Sequence, residues 1–532
     1  MTGLGVLVAR RALVDYARRP LNLVLLVAVP VVLVFVWGGS LADLSALMGG
    51  TADPVQLEAA TAGWAAAALA GLGGLFQITG ARTADRRLAA ASAHPAPVVA
   101  GRVAACLALA GLAAAGGLIA LAVRTGINDP VRAVVGTVVV ATIYVAIGVL
   151  VGSAVRSDMN GALLVTLAWI LDVFLGPAFG GGTSALTRVF PLHFPQLLLT
   201  SQVTGHGGPV GDLAWSLLWA VGLGGFAVLR LLAVTATARR PVAGVPGRTA
   251  RASDLRAAPA PIEAGAPAAR SAPVAWRPRA GKPLGAAVRA GVRDYRRNRV
   301  LWALLVGVPA VFIGLAILVT VDTPGPVEVV EGGRRYTAML SERRMHAATM
   351  VPVTAAFLAG LAGLFVATGT TDGDRRLVLA GLRTGHVLGA RLAVIALATV
   401  VTTGAAVAVS GAWYPPRQWV VFAGANLLIA ATYAMIGLVL GPLTGRLGGL
   451  YLVLLLAFID VGLGQTVMLP GGAPAWGAYL PGRGASRMLI DGAFTGRFDQ
   501  AEGLLLGAAW LAVSATVAAA VFWRRTGRAV AA

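Results

Sequence analysis

Hydrophobic residues occur in long, nearly uninterrupted runs separated by short polar segments along the whole chain. Twelve runs are long enough, at about 20 residues each, to cross a hydrocarbon core of about 30 Å. They predict spans near 21–39, 60–80, 101–123, 133–155, 161–178 and 212–234, and near 300–321, 349–369, 387–411, 418–441, 447–469 and 503–523. The pattern therefore predicts an all-α polytopic membrane protein with two groups of six spans.

An arginine-rich segment precedes each group of spans. Residues 4–19 and 284–299 mix Leu and Val with Arg, which predicts amphipathic helices lying in the membrane interface. Residues 236–283 are rich in Ala, Pro and Arg and predict a disordered cytoplasmic linker. We therefore expect a first six-span half over 1–235 and a second over 284–532.

One sequence segment occurs twice. Residues 74–88 read GLFQITGARTADRRL and residues 363–377 read GLFVATGTTDGDRRL, with nine of fifteen positions identical at an offset of 289. Further matches at nearly the same offset include Tyr144 with Tyr433 and Asp172 with Asp460. These matches predict an internal repeat. Because each half has an even number of spans, the repeats are expected to be parallel, related by a pseudo-two-fold axis along the membrane normal.

The charged residues predict the orientation in the membrane. The chain is 57% hydrophobic and 12% charged, with a net charge of +21. Residues 41–59 contain no Lys or Arg, whereas 80–102 contain Arg82, Arg86, Arg87 and Arg102. The positive-inside rule then places both termini, the DRRL segments and the linker in the cytoplasm of a bacterial plasma membrane. Since topology accounts for the basic charge, no nucleic-acid partner is expected.

The sequence argues against chemistry within this chain. Lys282 is the only lysine and is followed by Pro283, so the Ser or Thr required after the lysine of a phosphate-binding P-loop is missing. Cys106 is the only cysteine, and the five histidines lack metal-ligand spacing. We therefore expect neither an enzyme nor a metal or cofactor site in this chain.

The DRRL segments are the first candidate site. They comprise Asp85, Arg86, Arg87 and Leu88, and Asp374, Arg375, Arg376 and Leu377. Each is predicted to follow the end of a span as a charged loop and to lead through a short helical piece to Arg102 or Arg391. One interpretation is a charged docking surface for a soluble partner. The alternative is that the arginines anchor the loop to anionic lipid while the aspartate pairs locally. Two copies at identical spacing favour docking.

Two carboxylates inside predicted spans are the second candidate. Asp172 and Asp460 each follow an apolar run and precede a glycine-rich break. A carboxylate within the bilayer costs a few kcal/mol, so it normally faces protein or a water-filled cavity. Asp172 and Asp460 either form a polar site on a translocation path, for a cationic substrate, or bind the broken backbone of a re-entrant segment. Tyr144 and Tyr433 are expected to cross-link helices.

The order of these elements resembles the ABC-2 type exporter permeases. That order is an interfacial helix, a span, an outside loop, a second span, a charged segment and four more spans. In that family the segment after the second span contains the coupling helix, and the resemblance places it at 81–100 and 370–389. It implies a fused permease pair that exports a small molecule such as a drug, an antibiotic or a lipid-like compound. It also implies two copies of a separate ATPase subunit, which would bind ATP and Mg²⁺.

A secondary multidrug transporter of the major-facilitator type, driven by an ion gradient, is the alternative. It also has twelve spans, parallel halves, a central linker and a charged segment after its second span. Its signature requires Gly-x-x-x-Asp-Arg, but Gly80 and Asp85 are one residue too far apart. A membrane enzyme is the third possibility, and it would need a catalytic cluster at one membrane face. The ATP-driven exporter is therefore the leading hypothesis.

Overall fold

The computed structural model describes residues 3–47, 53–91, 94–179, 185–200, 207–236, 283–468 and 472–531. Apart from its first and last residues, the predicted linker 236–283 lies outside the described residues. We call residues 3–236 the first half and residues 283–531 the second half.

Helices make up nearly all of the first half. They are α1 (Gly3–Ala17), α2 (Pro20–Leu47), α3 (Pro54–Ala91), α4 (Ala96–Arg124), α5 (Pro130–Ala154), α6 (Asp158–Phe174), α7 (His193–Thr200) and α8 (Gly208–Ala236). Short 3-10 turns at Pro177–Phe179 and Ala185–Val189 separate α6 from α7.

The second half follows the same order with additions. Its elements are α9 (Pro283–Arg297), α10 (Arg299–Val319), β1 (Pro324–Glu331), β2 (Arg334–Ser341), α11 (Glu342–Gly369), α12 (Thr371–Leu379), α13 (Thr384–Trp413), α14 (Trp419–Ala457), α15 (Arg483–Phe494) and α16 (Ala501–Ala531). A π-helical segment, Phe458–Gly464, continues α14 directly.

Within the described residues, ten helical stretches are long and apolar enough to cross a membrane. The chain is therefore a largely helical protein of the multi-span membrane type. Two features explain why this number is lower than the predicted twelve. Helix α6 has 17 residues, which is short for a span, and Trp419–Gly464 forms one continuous stretch of 46 residues.

The 46-residue stretch turns back on itself at Gly445. As a straight helix it would extend about 69 Å, roughly twice a hydrocarbon core. The Tyr433 hydroxyl nevertheless donates a hydrogen bond to the Asp460 carboxylate at 2.8 Å, although these residues are 27 positions apart. Gly445 has φ 75° and ψ −173°, a conformation open essentially to glycine alone. The predicted spans 418–441 and 447–469 therefore correspond to two antiparallel segments joined by a glycine turn.

The first DRRL segment is helical, and the prediction of a charged loop there was wrong. Helix α3 runs without a break through Asp85 and Leu88 to Ala91. Residues 81–91 are mostly Ala, Arg and Leu, which favour helix and include no Pro or Gly. In the second half α11 ends at Gly369, and the DRRL residues lie on the separate short helix α12.

A β-hairpin interrupts the otherwise helical fold, so the all-α prediction was wrong for this segment. Strands β1 and β2 pair antiparallel, with Glu331 opposite Arg334 across a Gly332-Gly333 turn. Both glycines have positive φ, as tight hairpin turns require. Val327 and Val329 on β1 are buried against the helices of the second half.

Each half packs its first long helix on the other half. Helix α2 contacts α14, and α10 contacts α6. The side-chain amides of Asn160 and Asn298 exchange two hydrogen bonds, at 2.9 and 3.2 Å. The Tyr451 hydroxyl donates to the Leu69 carbonyl at 3.1 Å. The largest hydrophobic core cluster includes residues from both halves, so the two halves share one core.

Candidate functional site

The aspartate of each DRRL segment points into the protein. The Arg102 guanidinium donates to both carboxylate oxygens of Asp85, at 2.6 and 3.0 Å. The Arg391 guanidinium donates twice to Asp374 Oδ1, at 2.7 and 3.0 Å. Both aspartates are buried, and both pairs are 17 residues apart. Each pair therefore ties the DRRL segment to the start of the next long helix, α4 or α13.

The rest of each DRRL segment faces outward. Arg86, Arg87, Arg375 and Arg376 are exposed, and within the described residues none of them makes a salt bridge. Leu88 and Leu377 are also exposed, at 41% and 40%. We call these six residues the DRRL surfaces and the side of the molecule that carries them the DRRL face. Their composition of exposed arginines beside a leucine suits an acidic partner surface with an apolar contact.

The expected location of Asp85 and Asp374 on an exposed charged surface was therefore wrong. On a helix the side chain of the aspartate points about 100° away from that of the next residue, so the carboxylate faces α4 or α13 while the arginines face outward. Two hydrogen bonds from an arginine, Arg102 or Arg391, hold each carboxylate inside. Their identical spacing in the two halves is the sequence signal that would have revealed these pairs.

A cavity of about 620 Å³ opens between the halves on the DRRL face. We call it the basic vestibule, since Arg156, Arg391 and Arg446 line it beside a single carboxylate, Asp158. Arg446 and Asp158 belong to different halves and form an ion pair across the vestibule. Arg391 is also the partner of Asp374, so the vestibule lies next to the pair that anchors α12.

A second cavity lies between the halves among aromatic rings. It has a volume of about 90 Å³ and is lined by Trp37, Phe174, Phe312 and Phe458. The Trp37 and Phe458 rings meet edge to face with centroids 5.1 Å apart, and those of Phe312 and Phe458 lie 6.2 Å apart. We call it the aromatic cavity. Sequence reasoning missed it because aromatic residues on spans are indistinguishable from ordinary core until the two halves are packed together.

Asp172 and Asp460 bind backbone rather than line a cavity. Asp172 accepts the Tyr144 hydroxyl at 2.6 Å and the Leu192 amide at 3.2 Å. Asp460 accepts the Tyr433 hydroxyl at 2.8 Å and the Gly482 amide at 2.7 Å.

In both halves the carboxylate thus joins a tyrosine of the preceding helical segment to the irregular chain that follows its own segment. Neither aspartate lines the vestibule or the aromatic cavity. The contacts favour the structural interpretation over a site for a cationic substrate.

No group of three or more His, Cys, Asp or Glu side chains that could hold a metal ion occurs among the described residues. Neither a protein-family model nor a curated protein matches this sequence. The described residues thus present a pair of DRRL surfaces, each anchored from inside, beside cavities between two packed halves.

Proposed function

We propose that the chain is the membrane permease subunit of an ATP-driven exporter of the ABC-2 type, with both termini in the cytoplasm of a bacterial plasma membrane. The ten spans, together with α6 and the second segment of α14, would make twelve crossings. They would form two parallel halves related by a pseudo-two-fold axis along the membrane normal. The common order of helices in the two halves supports this arrangement.

The observation that carries the proposal is the duplicated anchor beneath the DRRL surfaces. In each half a buried aspartate binds the arginine 17 residues later, while two arginines and a leucine remain exposed. A lipid anchor needs exposed arginines but no rigid support beneath them. A docking surface that transmits movement does need such support. Force applied to Arg86 or Arg375 would pass through the Asp–Arg pair into α4 or α13.

The cavities between the halves provide a path for a small molecule. The basic vestibule would admit the substrate from the cytoplasmic side, and the aromatic cavity lies deeper between the same halves. At about 90 Å³ the aromatic cavity is smaller than the roughly 300–1,000 Å³ of typical ligand sites. Transport therefore requires the halves to separate. Closure of two ATPase subunits docked on the DRRL surfaces would drive that separation.

The test is reconstitution with an ATPase subunit that contains a P-loop and is encoded beside this chain. Reversing four charges (Arg86→Glu, Arg87→Glu, Arg375→Glu and Arg376→Glu) should weaken association about 100-fold or more, because like charges across an interface cost several kcal/mol. The matched control reverses four charges in two other adjacent exposed pairs, Arg10 and Arg11 on α1 and Arg296 and Arg297 on α9, each to Glu. Unchanged association after the fourfold reversal would refute the docking assignment. Export by the chain alone under an ion gradient would favour the secondary transporter.

A further inference from the structure

The largest cavity among those described lies on the side opposite the DRRL face. It has a volume of about 1180 Å³ and lies between the β-hairpin and helix α15. Met345, in the first turn of α11, lines it, whereas Gly369 at the last residue of α11 lines the basic vestibule. Since 28 residues of helix rise about 42 Å, the two cavities lie at opposite ends of the protein. We call this one the hairpin cavity.

Two arginines in the wall of the hairpin cavity lack a strong anionic partner. Arg483 and Arg487 lie one turn apart on α15 and both line the cavity. Within the described residues Arg483 makes no salt bridge, and burial together with the charge of Arg487 lowers its pKa. Arg487 lies 3.9 Å from Glu502, whose side chain is 89% exposed, a contact that contributes little. This part of the wall therefore carries positive charge that an anion would neutralise.

Most of the carboxylates in the same wall are already bound. Glu328 pairs with Arg335 at 3.2 Å. Glu342 accepts the Thr323 hydroxyl at 2.6 Å.

Asp491 accepts the Thr495 hydroxyl at 2.7 Å and the Asp499 amide at 3.1 Å. Asp43, at the end of α2, is exposed and completes the acidic part of the wall. Asp491 shares α15 with Arg483 and Arg487 but is held by Thr495 and Asp499, so the two arginines form the basic part of this wall.

Among the described residues, three buried polar atoms of this wall have no hydrogen-bond partner. They are Ser486 Oγ, Gln465 Oε1 and Gln500 Oε1, in residues exposed by only 8%, 6% and 7%. Buried polar atoms in proteins are almost always hydrogen-bonded. Gln465 Nε2 donates to Asp460 and to the Gly477 carbonyl, so the free atom of that amide is its oxygen. These atoms provide hydrogen-bonding capacity for a ligand between the two arginines and the core.

The hairpin cavity adjoins the aromatic cavity. Met468 lines both. Met345 lines the hairpin cavity, and the next residue, His346, lines the aromatic cavity. Likewise, Gln465 lines the hairpin cavity and Thr466 lines the aromatic cavity. A polar compartment with two arginines on its α15 side therefore lies directly beside an apolar, aromatic one.

We propose that the hairpin cavity binds the acidic head group of an anionic amphiphile whose apolar part enters the aromatic cavity. Arg483 and Arg487 bind the carboxylate or phosphate, and Ser486 donates a further hydrogen bond. The Gln465 and Gln500 oxygens accept from hydroxyl or amide groups of the ligand. This inference rests on the proposed function and names its substrate class. Two sources share this chemistry, namely an exported acid and an anionic lipid of the membrane.

The test is binding of hexanoic acid and its methyl ester to the purified full chain in nanodiscs of zwitterionic lipid, measured by isothermal titration calorimetry; the pentyl chain of this acid is small enough for the aromatic cavity. The acid should bind about tenfold or more tightly than the ester, as charge-assisted hydrogen bonds predict. Arg483→Gln should remove this preference and leave ester binding unchanged. Arg483→Lys should retain it, which separates charge from folding. Arg335→Gln is the matched control, since Arg335 lines the same cavity but is 70% exposed and already paired.

The proposal would be overturned if the unsubstituted protein bound the acid and the ester with equal affinity. It would also be overturned if Arg483→Gln lowered the affinities for the acid and the ester by the same factor. Adding phosphatidylglycerol to the nanodiscs distinguishes the two possible ligands, an anionic membrane lipid and an exported acid. Competition with the acid identifies a lipid, and no competition identifies an exported acid. No ATPase is present, so a failure of ATPase docking leaves this measurement intact. Normal docking with no preference for the acid would refute this inference alone.

Discussion

Arg102 binds the Asp85 carboxylate through two nitrogens, at 2.6 and 3.0 Å, and so joins the end of α3 to the start of α4. Arg391 binds Asp374 in the corresponding place, and Asp374 also accepts the Thr370 hydroxyl at 2.8 Å. These contacts place the aspartates beneath the proposed docking surfaces rather than on them. Their role is to position the exposed arginines, which changes what their substitution should do.

Removing both anchors should separate ATPase binding from transport. In Asp85→Ala with Asp374→Ala, Arg102 and Arg391 lose buried partners, so we expect about 3 kcal/mol lower stability for each pair and loss of export. Association with the ATPase subunit should be retained, because the exposed arginines are unchanged. Thermal unfolding, ATPase association and export in proteoliposomes are the measurements. The control is Asp15→Ala, which removes only exposed pairs with Arg11 and Arg18 and should cost less than about 1 kcal/mol. Normal export by the double variant would show that the anchors do not transmit movement.

Substituting the helix-end carboxylates should lower the amount of folded protein rather than its activity. Asp172→Asn and Asp460→Asn weaken the bonds to the Leu192 and Gly482 amides. We expect a loss of about 1–3 kcal/mol for each, since a buried polar group is left poorly satisfied. Export per folded molecule should not change. Tyr433→Phe removes one bond to Asp460 and should resemble Asp460→Asn more weakly. A specific loss of turnover in well-folded Asp460→Asn would restore the translocation-site interpretation.

Gly445 should tolerate no side chain. Gly445→Ala forces an alanine into φ 75°, ψ −173°, which costs of the order of 1–3 kcal/mol. Gly424→Ala in the same helix is the matched control. Its added methyl meets nothing within 4 Å and its φ is ordinary, so it should stabilise by about 0.5–1 kcal/mol. The two midpoints of thermal unfolding should move in opposite directions. A similar shift for both would mean that the chain does not reverse at Gly445.

The attachment of the β-hairpin should depend on pH. Glu331 accepts the Gly496 amide at 2.8 Å and the Tyr336 hydroxyl at 3.0 Å, and these bonds lower its pKa. A lowered pKa in the folded protein means that the contribution to stability is full above the ordinary carboxylate pKa. That contribution is lost as pH falls through the lowered value.

Hydrogen exchange of the hairpin amides, corrected for intrinsic rates, should therefore rise as the pH falls below the ordinary carboxylate range toward the lowered pKa of Glu331. Glu331→Gln should show raised exchange at neutral pH and a smaller further change on acidification. The Gly332 amide also donates to Asp499 at 2.7 Å, so Asp499→Asn should act in the same direction. Exchange in Glu331→Gln that still follows the pH dependence of the unsubstituted protein would assign the effect to another group.

The span pattern was predictable because it depends on local hydrophobicity alone. Helices α2, α4, α5 and α13 follow from apolar runs of sufficient length. The hairpin could also have been predicted, because the polar Glu328 lies between Val327 and Val329 and the turn residues Gly332-Gly333 follow. A search for apolar runs alone overlooks such a segment.

The cavities could not be predicted from the sequence. The aromatic cavity brings Trp37 and Phe458 together from opposite halves, and no local pattern encodes that contact. The hairpin cavity depends on how α15 packs against β1. Predicting the orientation of Asp85 would have required knowing that α3 stays helical past the apolar run. This helical continuation places the carboxylate toward Arg102. Long-range packing is the information that the sequence alone lacks.

The β-hairpin occupies 18 residues between α10 and α11, whereas only six residues join Leu47 of α2 to Pro54 of α3. A hairpin of 18 residues is three times as long as that connection. A permease assembled from two identical subunits would carry this element twice. The described part of this single polypeptide carries it once, on one side of the proposed exit path. The expected stoichiometry at the hairpin cavity is therefore one ligand per chain, which an equilibrium titration can count.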